Sequence, residues 1–122
     1  MAGRLLTRLR WQLVIFRRTR HFDDLVRRQL DLFAEDEADL LGEARNADES
    51  WTKAGRDEAE ELYGDYQLVV DAIGERLLDV RETYAATLSG DATEKYRAAF
   101  TRAADKRFRR YASVLADIED GA

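Results

Sequence analysis

The chain has 122 residues, of which 45% are apolar and 37% are charged, and it contains neither cysteine nor proline. Without cysteine, the chain has no disulfides, thiolate metal sites or cysteine nucleophiles. The length suits one domain with a single core, and we expect residues 1–122 to form it. Abundant helix formers and the lack of proline, the strongest helix breaker, favour an all-α fold.

The net charge of −5 is distributed unevenly along the chain. Residues 1–28 carry a charge of +6, residues 29–94 carry −14 and residues 95–122 carry +3. Basic ends and an acidic middle are expected if the ends pack beside the middle. Such asymmetry can also mark a surface for a partner.

Residues 3–22 contain six arginines and no acid. Helical spacing places apolar side chains on both sides of this segment, with Leu5, Leu9, Leu13 and Phe16 on one side and Trp11, Val14 and Ile15 on the other. We expect a helical arm that is apolar nearly all round and therefore requires burial on two sides.

Three explanations compete for this arm. It is buried between helices or subunits, or it lies on an anionic membrane surface, or it is a targeting segment. In the membrane case, the contacts to anionic groups would come from the arginines of the segment: Arg4, Arg8, Arg10, Arg17, Arg18 and Arg20. The targeting interpretation is the weakest because the apolar run is short and no small-residue cleavage site follows it. The run is also too short to span a bilayer.

Three further helices are predicted, over residues 24–46, 50–89 and 91–119. Asp23 or Asp24 is expected to cap the first of them, unless residues 4–46 form one kinked helix. The corner before the second is placed at residues 47–50, where Asp48 or Ser50 provides the cap.

The helix over 50–89 carries the clearest pattern in the chain. Its apolar residues recur at steps of three and four: Leu62, Tyr66, Val69, Ile73, Leu77, Val80, Tyr84 and Leu88. Gly64 and Gly74 interrupt it and would permit close helix contact. Gly90 is expected to adopt a left-handed conformation at the next corner, and Asp91 to cap the last helix.

The expected fold is an elongated antiparallel three-helix bundle, or long helical hairpin, with residues 3–22 as an additional N-terminal arm. The helix over 50–89 outruns the last helix. The first turns of this helix, near Trp51, carry few apolar residues and extend past the last helix. We therefore expect the first two segments, or another chain, to pack against them.

No residue pattern in the chain indicates catalysis, a metal or a cofactor. The acidic residues have helical spacing but no histidine partners, and His21 is the sole histidine. We expect no enzyme activity and no small-molecule substrate. The basic cluster at residues 106–111 could contact phosphates, but the acidic balance of the chain disfavours nucleic acid.

The leading functional hypothesis is a non-enzymatic helical protein of the scaffold or adaptor kind, which binds other proteins and self-associates, with a dimer as the default. Its predicted interface residues are Leu5, Leu9, Trp11, Leu13, Val14, Ile15, Phe16 and Trp51. The alternative is a peripheral membrane protein that binds anionic lipid through residues 3–22. The expected location is the cytoplasm, with the membrane surface under the alternative. The sequence identifies no particular partner.

Overall fold

A computed structural model describes residues 22–116 of the chain. Four helices lie in this range: α1 over residues 22–36, α2 over Ala38–Lys53, α3 over Arg56–Ala85 and α4 over Asp91–Arg107, followed by a helical turn over residues 113–116. No strand occurs within the described range, so the all-α prediction is confirmed at that level. The bundle arrangement and the single domain stay predictions.

Helices α1 and α2 form one nearly continuous path that bends at Glu37. This residue has a φ of −106° and a ψ of 24°. Its N–H still donates to the Phe33 carbonyl, and its own carbonyl accepts from the Leu41 N–H, both at 2.9 Å. Asp23 and Asp24 lie inside α1, so the prediction that one of them begins a helix is wrong.

The corner predicted at residues 47–50 is also wrong, because α2 continues through it to Lys53. The Ser50 hydroxyl donates to the Asn46 carbonyl at 2.9 Å, and the Thr52 hydroxyl donates to the Asp48 carbonyl at 2.7 Å. These polar side chains bond back within their own helix instead of capping the next one. The chain turns at two extended residues, Ala54 and Gly55.

The corner before α4 forms at Gly90, whose φ of +61° is positive as expected. Its ψ of −138° lies outside the left-handed helical region, and α3 ends earlier, at Ala85, so Gly90 is not the C′ residue of that helix. Asp91 is the first residue of α4, and Gly90 occupies the cap position without a side-chain hydrogen bond. The prediction of Asp91 as the cap is therefore wrong.

The last helix is shorter than predicted, since α4 ends at Arg107 instead of residue 119. The chain turns over residues 108–112, and the Tyr111 N–H donates to the Phe108 carbonyl at 2.8 Å. This turn redirects the chain so that Phe108, Ala112 and Leu115 are all buried.

One apolar core connects all of these elements. Its buried members include Val26, Leu30 and Phe33 of α1, Leu41 and Ala44 of α2, Ile73, Leu77 and Ala85 of α3, and Tyr96, Phe100 and Ala104 of α4. Two contacts for each helix pair define helix direction. Glu37 meets Arg76 and Trp51 meets Tyr63, whereas Tyr84 meets Tyr96 and Arg81 meets Thr101. Helix α3 therefore runs antiparallel to the α1–α2 path and to α4.

The inner face of α3 contains a charged residue, Arg81, which is 0% exposed. Its Nη1 donates to the Thr101 hydroxyl of α4 at 2.7 Å and to the Leu115 carbonyl at 3.4 Å, and its Nη2 lies 3.7 Å from a Glu82 carboxylate oxygen. The apolar face predicted for this helix from the sequence did not include Arg81. Its spacing of four residues from both Leu77 and Ala85 was the available signal.

Replacing Thr101 by valine should lower the free energy of unfolding by about 2 kcal/mol, because a hydrogen bond to a buried charge is lost at almost constant volume. Urea denaturation of the full chain measures the change. Thr52→Val, at an exposed position of α2, is the matched control and should change stability by less than about 0.5 kcal/mol. Equal effects of the two substitutions would contradict the role given to Thr101.

Two glycines of α3 should respond to alanine in opposite directions. A Cβ at Gly74 would lie 2.9 Å from the Tyr111 carbonyl oxygen and 3.0 Å from Val114 Cγ1, whereas a Cβ at Gly64 would meet nothing within 4 Å. Gly64→Ala should raise the free energy of unfolding by about 0.5–1 kcal/mol through helix propensity. Gly74→Ala should lower it by about 1–2 kcal/mol through overpacking. Thermal or urea unfolding of both variants would show the difference, and stabilisation by Gly74→Ala would disprove the close contact.

Candidate functional site

A groove open to solvent runs between α1 and α3. It consists of two adjoining hollows of about 460 and 250 Å³, which share Gln29 and Val80. Its lining is Gln29, Leu32, Phe33 and Asp36 of α1, Glu37 at the bend, and Arg76, Asp79, Val80, Thr83 and Tyr84 of α3, with Thr87 just beyond that helix. We call this site the α1–α3 groove.

The floor of the groove is apolar because the inner face of α3 is rotated from its predicted position. The row of Ile73, Leu77, Arg81 and Ala85 is buried, whereas Val80 and Tyr84 are only half-buried. Leu32, on the α1 side, is 58% exposed. Apolar side chains that the spacing assigned to the core thus form a surface that a partner can cover.

Carboxylates predominate at the rim of the groove. Among the described lining residues, Arg76 is the one cation, and its Nη1 donates to both Glu37 carboxylate oxygens at 2.6 and 2.8 Å. This hydrogen bond raises the pKa of Arg76 above its ordinary value. Because Glu37 neutralises Arg76, the lining retains the negative charge of Asp36 and Asp79. The groove therefore suits an amphipathic partner that carries positive charge.

Tyr96 of α4 supports the groove from behind. Its hydroxyl donates to the Gln29 side-chain carbonyl at 2.7 Å, and its ring lies 4.7 Å from the ring of Tyr84. Burial of the Tyr96 phenol raises its pKa to about 12. A buried tyrosine thus holds one lining residue on each side of the groove.

A second surface feature lies where α2 meets α3, at an aromatic cluster of Trp51, Tyr63 and Tyr66. The Trp51 and Tyr63 rings meet edge to face at 5.1 Å, and Tyr66 lies 6.3 Å from each of them. The Trp51 indole N–H donates to the Asp48 carboxylate at 3.0 Å. Trp51 is half-buried within its own chain by these contacts, and its interface role stays a prediction.

The other predicted site residues lie outside the described range. They are the interface residues Leu5, Leu9, Trp11, Leu13, Val14, Ile15 and Phe16, and the candidate anionic contacts Arg4, Arg8, Arg10, Arg17, Arg18 and Arg20. Their roles as interface residues and as anionic contacts therefore stay predictions.

The basic cluster at residues 106–111 contacts acidic residues of the same chain. Arg107 pairs with Asp31 of α1, and Arg110 pairs with Asp48 of α2. The hydrogen bond with Asp48 raises the pKa of Arg110 above its ordinary value. Two guanidinium groups of the cluster are therefore engaged by carboxylates, which reduces the positive surface available to a polyanion.

The chain was also compared with protein-family models, with curated proteins and with solved structures, and no significant match was found. Across residues 22–116, no helix combines the length and apolar character needed to cross a bilayer. In the same part of the chain, no three His, Cys, Asp or Glu side chains are grouped as ligands for a metal ion.

Sequence reasoning missed the α1–α3 groove, although one signal for it was present. Leu32 falls on the outward face of its helix, beside acidic residues such as Asp31, Glu35 and Asp36. A large apolar side chain on an otherwise charged face can mark a contact surface when other apolar residues lie beside it. Those neighbours, Val80 and Tyr84, come from α3 and are recognisable only in the folded chain.

The raised pKa of Tyr96 predicts a loss of stability at alkaline pH. Its folded-state pKa of about 12 exceeds the ordinary value of 10.0. The folded protein therefore retains the proton to higher pH than the unfolded chain. The stabilisation by protonated Tyr96 is complete below pH 10 and is lost as the pH rises through 12. The free energy of unfolding should fall by roughly 2 kcal/mol over this range.

Tyr96→Phe removes this titration together with a hydrogen bond to Gln29. At pH 7 the variant should be less stable than the unmodified chain by about 1 kcal/mol. The difference should vanish or change sign near pH 12. Urea unfolding at pH 7, 10 and 11.5 measures it, with Tyr63→Phe at an exposed tyrosine as the control. A difference in unfolding free energy that stays the same at pH 7, 10 and 11.5 would contradict the raised pKa assigned to Tyr96.

Proposed function

We propose that this protein is a non-enzymatic helical interaction or assembly protein, of the scaffold or adaptor kind, that associates with a second copy of itself. The observation that supports this best is the α1–α3 groove, whose apolar floor is open to solvent beside Leu32, itself 58% exposed. Covering an exposed leucine contributes about 1–2 kcal/mol per site, and a two-fold symmetric dimer covers two such sites.

The form of the groove favours a helical partner over a small ligand. It is an open channel between two helices, and its α3 lining from Arg76 to Tyr84 spans about 12 Å at the helical rise per residue. Small-molecule sites usually enclose most of their ligand, whereas amphipathic helices bind in open grooves of this kind.

We further propose that the chain as a whole is an elongated antiparallel three-helix bundle with residues 3–22 as its arm. Support comes from helix length and direction. Helix α3 has 30 residues, about 45 Å of helix, while the antiparallel α4 has 17 residues, about 26 Å. Helix α4 can therefore cover only part of α3, and the α1–α2 path covers more of it.

Sedimentation equilibrium of the full chain should show a dimer that dissociates on dilution. Leu32→Glu should raise its dissociation constant by roughly tenfold or more, because a charged carboxylate would replace an apolar contact and would be buried against the apolar side of the partner. Leu68→Glu is the matched control, since Leu68 is 70% exposed on α3 and does not line the groove. It should leave the dissociation constant nearly unchanged.

A monomer at high micromolar concentration, or an equal effect of the two substitutions, would contradict the proposal. The alternative function, binding to an anionic membrane through residues 3–22, is separable in the same preparations. Co-flotation of a monomer with anionic but not neutral vesicles, lost at high salt, would favour it.

A further inference from the structure

We infer that the α1–α3 groove receives residues 3–16 of a second copy of this chain, bound as a helix with its apolar side on the groove floor. This inference rests on the proposed self-association and names the two surfaces that meet. One is the described groove, and the other is the basic apolar segment of the sequence.

The charges of the groove and of residues 3–16 are complementary. Asp36 and Asp79 are exposed at the rim, and neither forms an ion pair with another residue of the described range. Residues 3–16 carry Arg4, Arg8 and Arg10 and no acid. Arginines beside an apolar stripe can pair with these carboxylates while the stripe covers the floor.

The groove and the apolar stripe of the segment also match in length. The α1 lining from Gln29 to Asp36 spans about 10 Å, and the helical stripe from Leu9 to Phe16 spans about the same length. Leu9, Leu13 and Phe16 share one side of that helix. Three large apolar side chains would therefore lie along the floor formed by Phe33, Val80 and Tyr84.

The residues just before α1 favour a segment supplied by a second copy of the chain. Helix α1 already includes Phe22, so a return into its own groove would need a reversal at residues 17–21. Those residues read Arg-Arg-Thr-Arg-His and include no Gly, Pro, Asn or Asp, which are the usual turn residues. Because residues 17–21 lack a turn signal, the sequence favours a neighbouring copy as the source of the segment, and two copies can exchange segments symmetrically.

The absence of cysteine from the chain makes a specific cross-linking test available. Full-length Leu13→Cys and Leu32→Cys variants are mixed and oxidised, and the mixed disulfide dimer is quantified by mass spectrometry. We expect it to form at least about tenfold faster than with the control pair Leu13→Cys and Leu68→Cys, because docking raises the effective thiol concentration only at the groove. Unmodified protein in the same buffer is sedimented in parallel.

Each outcome of this experiment has one interpretation. Selective cross-linking to Leu32→Cys in a dimeric sample supports the inference. A dimer that cross-links equally to both positions, or to neither, overturns the inference but leaves the proposed self-association intact. A monomeric sample overturns both. In that case, an internal disulfide in a Leu13→Cys/Leu32→Cys double variant would show that the segment docks in its own groove.

Discussion

The packing of α3 depends on one buried guanidinium group, that of Arg81. Removing an arginine from water costs several kcal/mol unless its N–H groups are hydrogen-bonded. Thr101 of α4 and the Leu115 carbonyl accept from it, so α3, α4 and the C-terminal turn must keep one relative arrangement. Gly74 contributes to the same arrangement, because the Tyr111 carbonyl approaches α3 where a side chain would collide.

This arrangement also fixes the rotation of α3 about its own axis, and the groove follows from that rotation. With Arg81 at the centre of the inner face, Val80 moves to the flank and lies opposite Leu32 of α1. Tyr96 then holds Gln29 and Tyr84 in place from behind. The candidate binding surface is thus a consequence of core packing, and its stability depends on the same buried polar contacts.

Ion pairs on the surface stabilise this fold less than the packing of the apolar core does. Arg107 and Arg110 lie against Asp31 and Asp48, as expected if a basic end packs beside the acidic middle. Exposed pairs of this kind are weak because water screens the charges, so they add little to the stability of the fold. The acidic charge left at the groove is the part that a basic segment can neutralise.

The sequence by itself determined the helical class and most inner faces, because three- and four-residue spacing reflects the geometry of the helix backbone. Val26, Leu30 and Phe33 are buried as their spacing requires, and Gly90 turns the chain because it tolerates a positive φ. Tertiary structure decided where α2 and α4 end, why an arginine lies in the core and where the groove opens. Those features depend on contacts between residues distant in the chain. The local signals at Arg81 and Leu32 mark the two positions but do not identify the residues that each one contacts.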